Sequence, residues 1–164
     1  MAMTRYARHF GAGPRGLIIS YALLAVAWRL ESVVGLPQIT SIASVRSYAL
    51  ATGVVGALGL AGWGLRSLPP GERGVALVTT GAYKYLRHPV YASLLSSFHF
   101  GLAVYLNNWI YVVWAVLLHG LWHWNIRSEE ALMVQAFGEQ YTEYCRRTGR
   151  FFPRFWAWPR RHSV

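Results

Sequence analysis

Four stretches almost empty of charge organise this chain, at roughly residues 16–34, 48–65, 89–106 and 109–126. Each is about 18 residues, which as an α-helix is about 27 Å and just crosses a hydrocarbon core. Lipid offers the backbone no hydrogen bonds, so helices or a closed barrel must do the spanning, and no alternating strand pattern competes. The stretches predict an all-α integral membrane protein with about four transmembrane helices in a single domain covering residues 1–164. Ala25-Val26-Ala27 has the look of a signal-peptidase site, but the apolar run continues past it, so a retained first span is expected. In the second stretch Gly56, Gly59 and Ala61-Gly62 are expected to let a neighbouring helix approach closely.

Charge is scarce (13% of residues) and unevenly placed. The formal balance of +10 could suit nucleic acid, but here the basic residues flank the apolar stretches, so no nucleic-acid partner is expected. Arg5, Arg8, Arg15, Arg66, Arg73, Lys84, Arg87, Arg127, Arg146, Arg147, Arg150, Arg154, Arg160 and Arg161 fall on one side; only Arg29 and Arg46 fall on or near the other. Both termini are therefore expected in the cytoplasm. Arginine outnumbers lysine so heavily (Lys84 stands alone) that a G+C-rich prokaryote and its inner or plasma membrane are the expected setting. Trp28 and Trp109 would anchor the outer boundary, and Trp63, Trp122 and Trp124 the inner one. Residues 127–146 place Leu132, Met133, Ala136, Phe137, Tyr141 and Tyr144 at helical spacing and predict an interfacial C-terminal helix. The following segment, Phe151–Arg161, would rest among headgroups.

The candidate chemistry gathers where spans three and four would meet. Asn107-Asn108 makes a tight hairpin, in which His88 should lie near Arg127, Tyr91 near Trp124, and His99 within reach of His119. That brings Arg87-His88-Pro89 and the pair Glu129-Glu130 to one membrane face. His119, His123, Arg127 and Glu130 would form a polar stripe turned into the bundle. With no aspartate in the chain, acid–base work must fall to Glu, His, Tyr or Cys. The histidines His99, His119 and His123 could instead hold a metal or haem, or simply hydrogen-bond across helices; no metal site is expected, because a supporting carboxylate is missing at their depth. Taken singly, Arg87-His88 could be a basic loop end, and Glu129-Glu130 a solvated helix start capped by Ser128.

Leu-Val-Thr-Thr-Gly-Ala-Tyr-Lys-Tyr-Leu-Arg-His-Pro-Val-Tyr at residues 77–91 resembles the signature of isoprenylcysteine carboxyl methyltransferases and the related phospholipid methyltransferases. Glu129-Glu130, Met133, Phe137-Gly138, Tyr141, Tyr144 and Arg150-Phe-Phe-Pro153 are similar to its second block. The likeness covers about residues 75–155. Ala92-Ser93 stand where the family often has glycine, and Met133 replaces the usual leucine. The resemblance implies S-adenosyl-L-methionine as cofactor. It would be held in a region of about residues 75–91 and 127–155 by Tyr83, Arg87, His88, Pro89, Tyr91, Glu129, Glu130, Tyr141, Tyr144 and Arg150. Trp122, Trp124 and Phe137 could supply an apolar slot for its adenine. Arg87, Glu130 and His123 are the expected catalytic residues. The partners implied are membrane lipids and a lipophilic acceptor entering from the bilayer. Membrane sterol reductases, which use NADPH, share the shape of these motifs, and Tyr144-Cys145 is similar to their tail. They carry asparagine beside the motif tyrosine, where this chain has Pro89-Val90.

Overall fold

The computed structural model describes residues 12–69, 71 and 75–154. The expectations for Arg5, Arg8, Arg73, Arg160, Arg161 and the segment beyond Arg154 lie outside these residues. Among the described residues five helices follow one another: α1 (Gly13–Val34), α2 (Ala43–Arg66), α3 (Pro89–Leu106), α4 (Trp109–Asn125) and α5 (Arg127–Arg147), with a short 3₁₀ turn at Gly81–Lys84. Among the described residues there is no strand, only an isolated parallel bridge between Leu86 and Gly149. Three of the described helices, α1, α2 and α3, are long and apolar enough to cross a membrane. The fourth predicted span forms a helix of 17 residues, α4, which a one-residue break at Ile126 separates from α5.

Local sequence sets the boundaries. Pro14 sits in the first turn of α1, where its missing N–H is no loss, and Gly35 (φ 65°) ends the helix in the left-handed conformation. Asn107 (φ 63°) ends α3, and the Asn108 side chain accepts the Ile110 N–H at 3.0 Å to cap α4. The same two side chains tie this hairpin to the α1–α2 loop: Asn107 Oδ1 accepts the Thr40 N–H, and Asn108 Nδ2 donates to the Leu36 carbonyl.

Helix packing relies on small residues, of which Gly56 was expected and Gly53 and Gly64 were not. A Cβ on Gly53 would stand 3.0 Å from the Gly101 Cα, so the α2 and α3 backbones touch there. Gly56 faces Ser97 and Gly64 seats Pro89, whereas Gly59 meets nothing within 4 Å. The close-packed positions of α2 are thus Gly53, Gly56 and Gly64, not Gly59 and Gly62. Helix α1 is fastened to α4 by Ser20: its Oγ accepts from Trp122 Nε1 (2.9 Å) and its carbonyl from Trp114 Nε1 (3.1 Å). Trp122 is therefore a fully buried core residue and not the interfacial anchor expected, while Trp28, Trp63, Trp109 and Trp124 are exposed. One turn of α3, Leu94–Phe98, is wound as a π-helix.

Candidate active site at one membrane face

Glu130 is the centre of the cluster. It is buried, and three donors converge on it: Arg87 Nε at 3.0 Å, His88 Nε2 at 3.3 Å and Arg150 Nη2 at 2.6 Å. Burial alone would raise its pKa; the hydrogen bonds from His88 and Arg150 and the charge of Arg87 outweigh burial and pull it down to about 2. Arg87 is itself buried, and its Nη1 donates to the carbonyls of Cys145 (3.0 Å) and Thr148 (2.5 Å). Arg87 thus clamps the end of α5 to the loop before α3. Backbone pairing reinforces the clamp: Arg87 N–H donates to the Gly149 carbonyl at 2.8 Å and His88 N–H to that of Arg150 at 3.1 Å.

Glu129 is placed differently. Its Oε2 accepts from the Tyr91 hydroxyl at 3.2 Å and from the Ala12 backbone N–H at 3.0 Å, and His88 Nδ1 lies 3.7 Å from its Oε1. Its side chain keeps 27% exposure, against 10% for Glu130. His88 stacks on Tyr91 at 5.6 Å, and Tyr91 leans on Trp122 at 4.9 Å. Pro89 opens α3 at its first turn, so the Arg-His-Pro order delivers His88 to the helix mouth with its ring free of the helix proper.

The second block closes over this arrangement because α5 is bent. Gly138 (φ 55°, ψ −127°) adopts a backbone conformation open to glycine and interrupts the helix, re-aiming the following turns. Tyr141 and Tyr144 beyond it are buried, and the Tyr144 hydroxyl donates to the Tyr83 carbonyl at 2.6 Å. Burial pushes both phenols up; the Glu130 charge adds to the effect at Tyr141, and Arg87 opposes it at Tyr144. Phe151, expected among headgroups, is buried beside His88 (6.1 Å) and His123 (4.8 Å). His123 Nδ1 lies 2.8 Å from the His119 carbonyl, which can only accept, so Nδ1 carries a proton and donates it there.

Most of the predicted site residues therefore meet: Tyr83, Arg87, His88, Pro89, Tyr91, Glu129, Glu130, Tyr141, Tyr144 and Arg150 line one connected cluster. The predicted stripe does not hold, because Arg127 is exposed: the break at Ile126 turns it away from His119, His123 and Glu130. Nor does Ser128 cap α5, whose cap position is Ile126. The adenine slot changes too, since Trp122 is enclosed in the core and Trp124 faces outward. Sequence reasoning missed the contribution of α1. Asn125 Nδ2 donates to the Ala12 carbonyl (2.9 Å) and its Oδ1 accepts from Arg15 Nε (2.8 Å). Gly13 lies against the Tyr91 ring, and Gly16 leaves room for Trp122 and Asn125. Gly13, Gly16 and Ser20 form a line of small residues on one face of a bulky span, and that was the available signal.

The phospholipid methyltransferase family model matches residues 38–140. The chain belongs to this family of membrane methyltransferases. The match takes in α2, which the motif resemblance had left aside, and stops before Arg150. Over 85 residues the chain is 36% identical to the cobalt-zinc-cadmium resistance protein CzcN of Cupriavidus metallidurans, covering 51% of this chain and 38% of that protein. The chain thus spans well under half the length of that relative. Family and helices together make it an integral membrane protein.

Proposed function

We propose that this protein transfers a methyl group from S-adenosylmethionine to a lipophilic acceptor at the membrane face where the cluster lies. One observation carries the reading. Two carboxylates, two guanidiniums, an imidazole and a group of tyrosines, drawn from the segment Tyr83–His88, α3, α5 and the segment after it, meet at the mouth of apolar helices, with the Ala12 N–H before α1 joining them. The donor set suits the cofactor's amino-acid end. Glu129, the more exposed carboxylate, would pair its ammonium, and Arg150, whose side chain is 28% exposed, its carboxylate. Glu130 and Arg87 then act by holding Arg150 and His88 in place. Tyr91 would present its ring face or its hydroxyl oxygen near the sulfonium.

Bound S-adenosylmethionine supplies an activated methyl whose departure leaves a neutral thioether. The protein's tasks are to orient the two reactants in line and to exclude water. Trp122, Phe151 and Tyr141 supply the dry walls. A carboxylate acceptor needs no base. For an amine or hydroxyl acceptor, His123 in its neutral form would take the proton at Nε2. The acceptor would enter sideways from the bilayer, with membrane lipids as neighbours. The basic flanks support a cytoplasmic position for this face and both termini.

Calorimetric titration of S-adenosylhomocysteine and of NADPH into nanodisc-embedded protein tests the reading. Saturable binding of S-adenosylhomocysteine without NADPH binding is expected. Binding of NADPH alone would replace this reading with a reductase.

A further inference from the structure

A second group of polar side chains, deep between the helices, plays no part in the chemistry above. His99 is wholly buried, and neither of its ring nitrogens has a hydrogen-bond partner. Both ring nitrogens of His119, and Ser96 Oγ one turn before His99, are likewise buried and unpartnered. The Leu95 backbone comes near His119 without making a geometrically sound hydrogen bond. The surroundings are aromatic: Trp114 (5.1 Å) and Tyr21 (6.2 Å) stand edge-on to His99, while Phe152 (5.2 Å) and Phe100 (5.8 Å) flank His119. A position that needed only apolar filling would be better served by phenylalanine or leucine, because an unmade hydrogen bond in a dry interior is costly.

Two further observations point the niche toward a ligand. The π-wound turn Leu94–Phe98 lies immediately before His99, and such turns persist at functional sites because they interrupt the regular ladder. Phe151 borders both regions, with its ring 6.1 Å from His88 and 6.4 Å from His119. Along α3, His99 lies about three turns, or about 16 Å, from His88, while His119 is nearer, as its contact with Phe151 shows.

We propose that His99, His119 and Ser96 form a distal subsite that binds a neutral hydroxyl in the apolar body of the methyl acceptor. This rests on the methyltransferase reading. A neutral imidazole offers one donor and one acceptor, and a hydroxyl can answer both. A cationic group is disfavoured, because among the described residues the ring contacts of the two imidazoles include no carboxylate. Among the described residues no three histidine, cysteine or acidic side chains gather as metal ligands do. The acceptor is thereby an amphiphile with its reactive group at the membrane face and a second oxygen up to roughly three helical turns deeper.

The test uses protein in nanodiscs with ¹⁵N-labelled histidine, titrated with 1-dodecanol and, separately, with dodecane. The ring signals of His99 and His119 should shift saturably with dodecanol and stay in place with dodecane. The variants His99→Phe and His119→Leu should each lose the saturable response while binding S-adenosylhomocysteine as the parent protein does. Signals that ignore dodecanol, or that move equally with both compounds, would overturn the subsite and leave a trapped water as its occupant. Titration of S-adenosylhomocysteine on the same samples separates the two ideas. Cofactor binding without the dodecanol response sinks the subsite alone. The dodecanol response without cofactor binding sinks the methyltransferase reading, and the acceptor role with it.

Discussion

Two polar regions of this molecule, whose histidines on α3 and at its mouth lie about three helical turns apart, are built on opposite terms. At the membrane face each oxygen of Glu130 has a donor, and Arg87 is engaged with Glu130 and two backbone carbonyls. Between the helices the ring nitrogens of His99 and His119 have no hydrogen-bond partner. The first region is architecture: its charges are buried because they are mutually satisfied, and removing one strands the others. The second is poorly explained as architecture, because its polar atoms hydrogen-bond to nothing around them. Within the first region the same contrast recurs on a small scale. Glu130 is consumed in holding the fold, while its neighbour Glu129 remains partly exposed and available.

The largest expected effect breaks the satisfied region. Glu130→Ala leaves Arg87 and Arg150 facing each other without their carboxylate, and should destabilise the protein by about 3–5 kcal/mol. Thermal unfolding in a fixed detergent measures it; a melting temperature equal to the parent's would show that the cluster is not the keystone. Acid probes the same group without mutation. Its folded-state pKa of about 2 lies below the ordinary 4.5, so Glu130 contributes stability that is fully present above pH 4.5 and is lost as pH falls through about 2. The shift corresponds to about 3 kcal/mol. Denaturation midpoints of the parent should fall across that window more steeply than those of Glu130→Gln; parallel curves would contradict the assignment.

The next effect sharpens the contrast between the glutamates. Glu129→Gln should leave the fold close to the parent's stability, because its contacts with Tyr91 and the Ala12 N–H survive in an amide oxygen. Its affinity for S-adenosylhomocysteine should fall about 10–100-fold, the value of one charge-assisted hydrogen bond of about 1.5–3 kcal/mol. Unchanged affinity in Glu129→Gln would return the ammonium contact to another group.

Much of this arrangement could be read from the chain, and the errors have physical causes. The hairpin at Asn107-Asn108 was legible from its length and placed the Arg-His-Pro motif beside the glutamates. Its register slipped: Tyr91 meets Trp122, not Trp124, and His88 meets Glu129 and Glu130 rather than Arg127. The counting assumed unbroken α-helix. The π turn at Leu94–Phe98 winds an additional residue into α3, which shortens its reach, and the break at Ile126 rotates α5. Neither has a side-chain signature. The clamp on Arg87 was illegible for another reason, since two of its acceptors are the backbone carbonyls of Cys145 and Thr148, which any residue would provide. The role of α1 was missed because apolar composition masked the line Gly13, Gly16 and Ser20.

The smallest effect is the one that tests the unsatisfied region as architecture. His99→Phe exchanges an imidazole with two stranded nitrogens for a ring of similar shape, in a setting already made by Tyr21, Phe98 and Trp114. Transferring an unpartnered polar group out of an apolar site is favourable, and the larger ring opposes it only by crowding. The two terms nearly balance, so the variant should match the parent or gain up to about 2 kcal/mol. The contrast with Glu130→Ala is then one of sign as well as size: a group that holds the fold is lost at a cost, and a group that does not is lost freely. A destabilisation of His99→Phe approaching that of Glu130→Ala would mean that the niche carries structural hydrogen bonds, through a buried water, and that the two regions are built on the same terms.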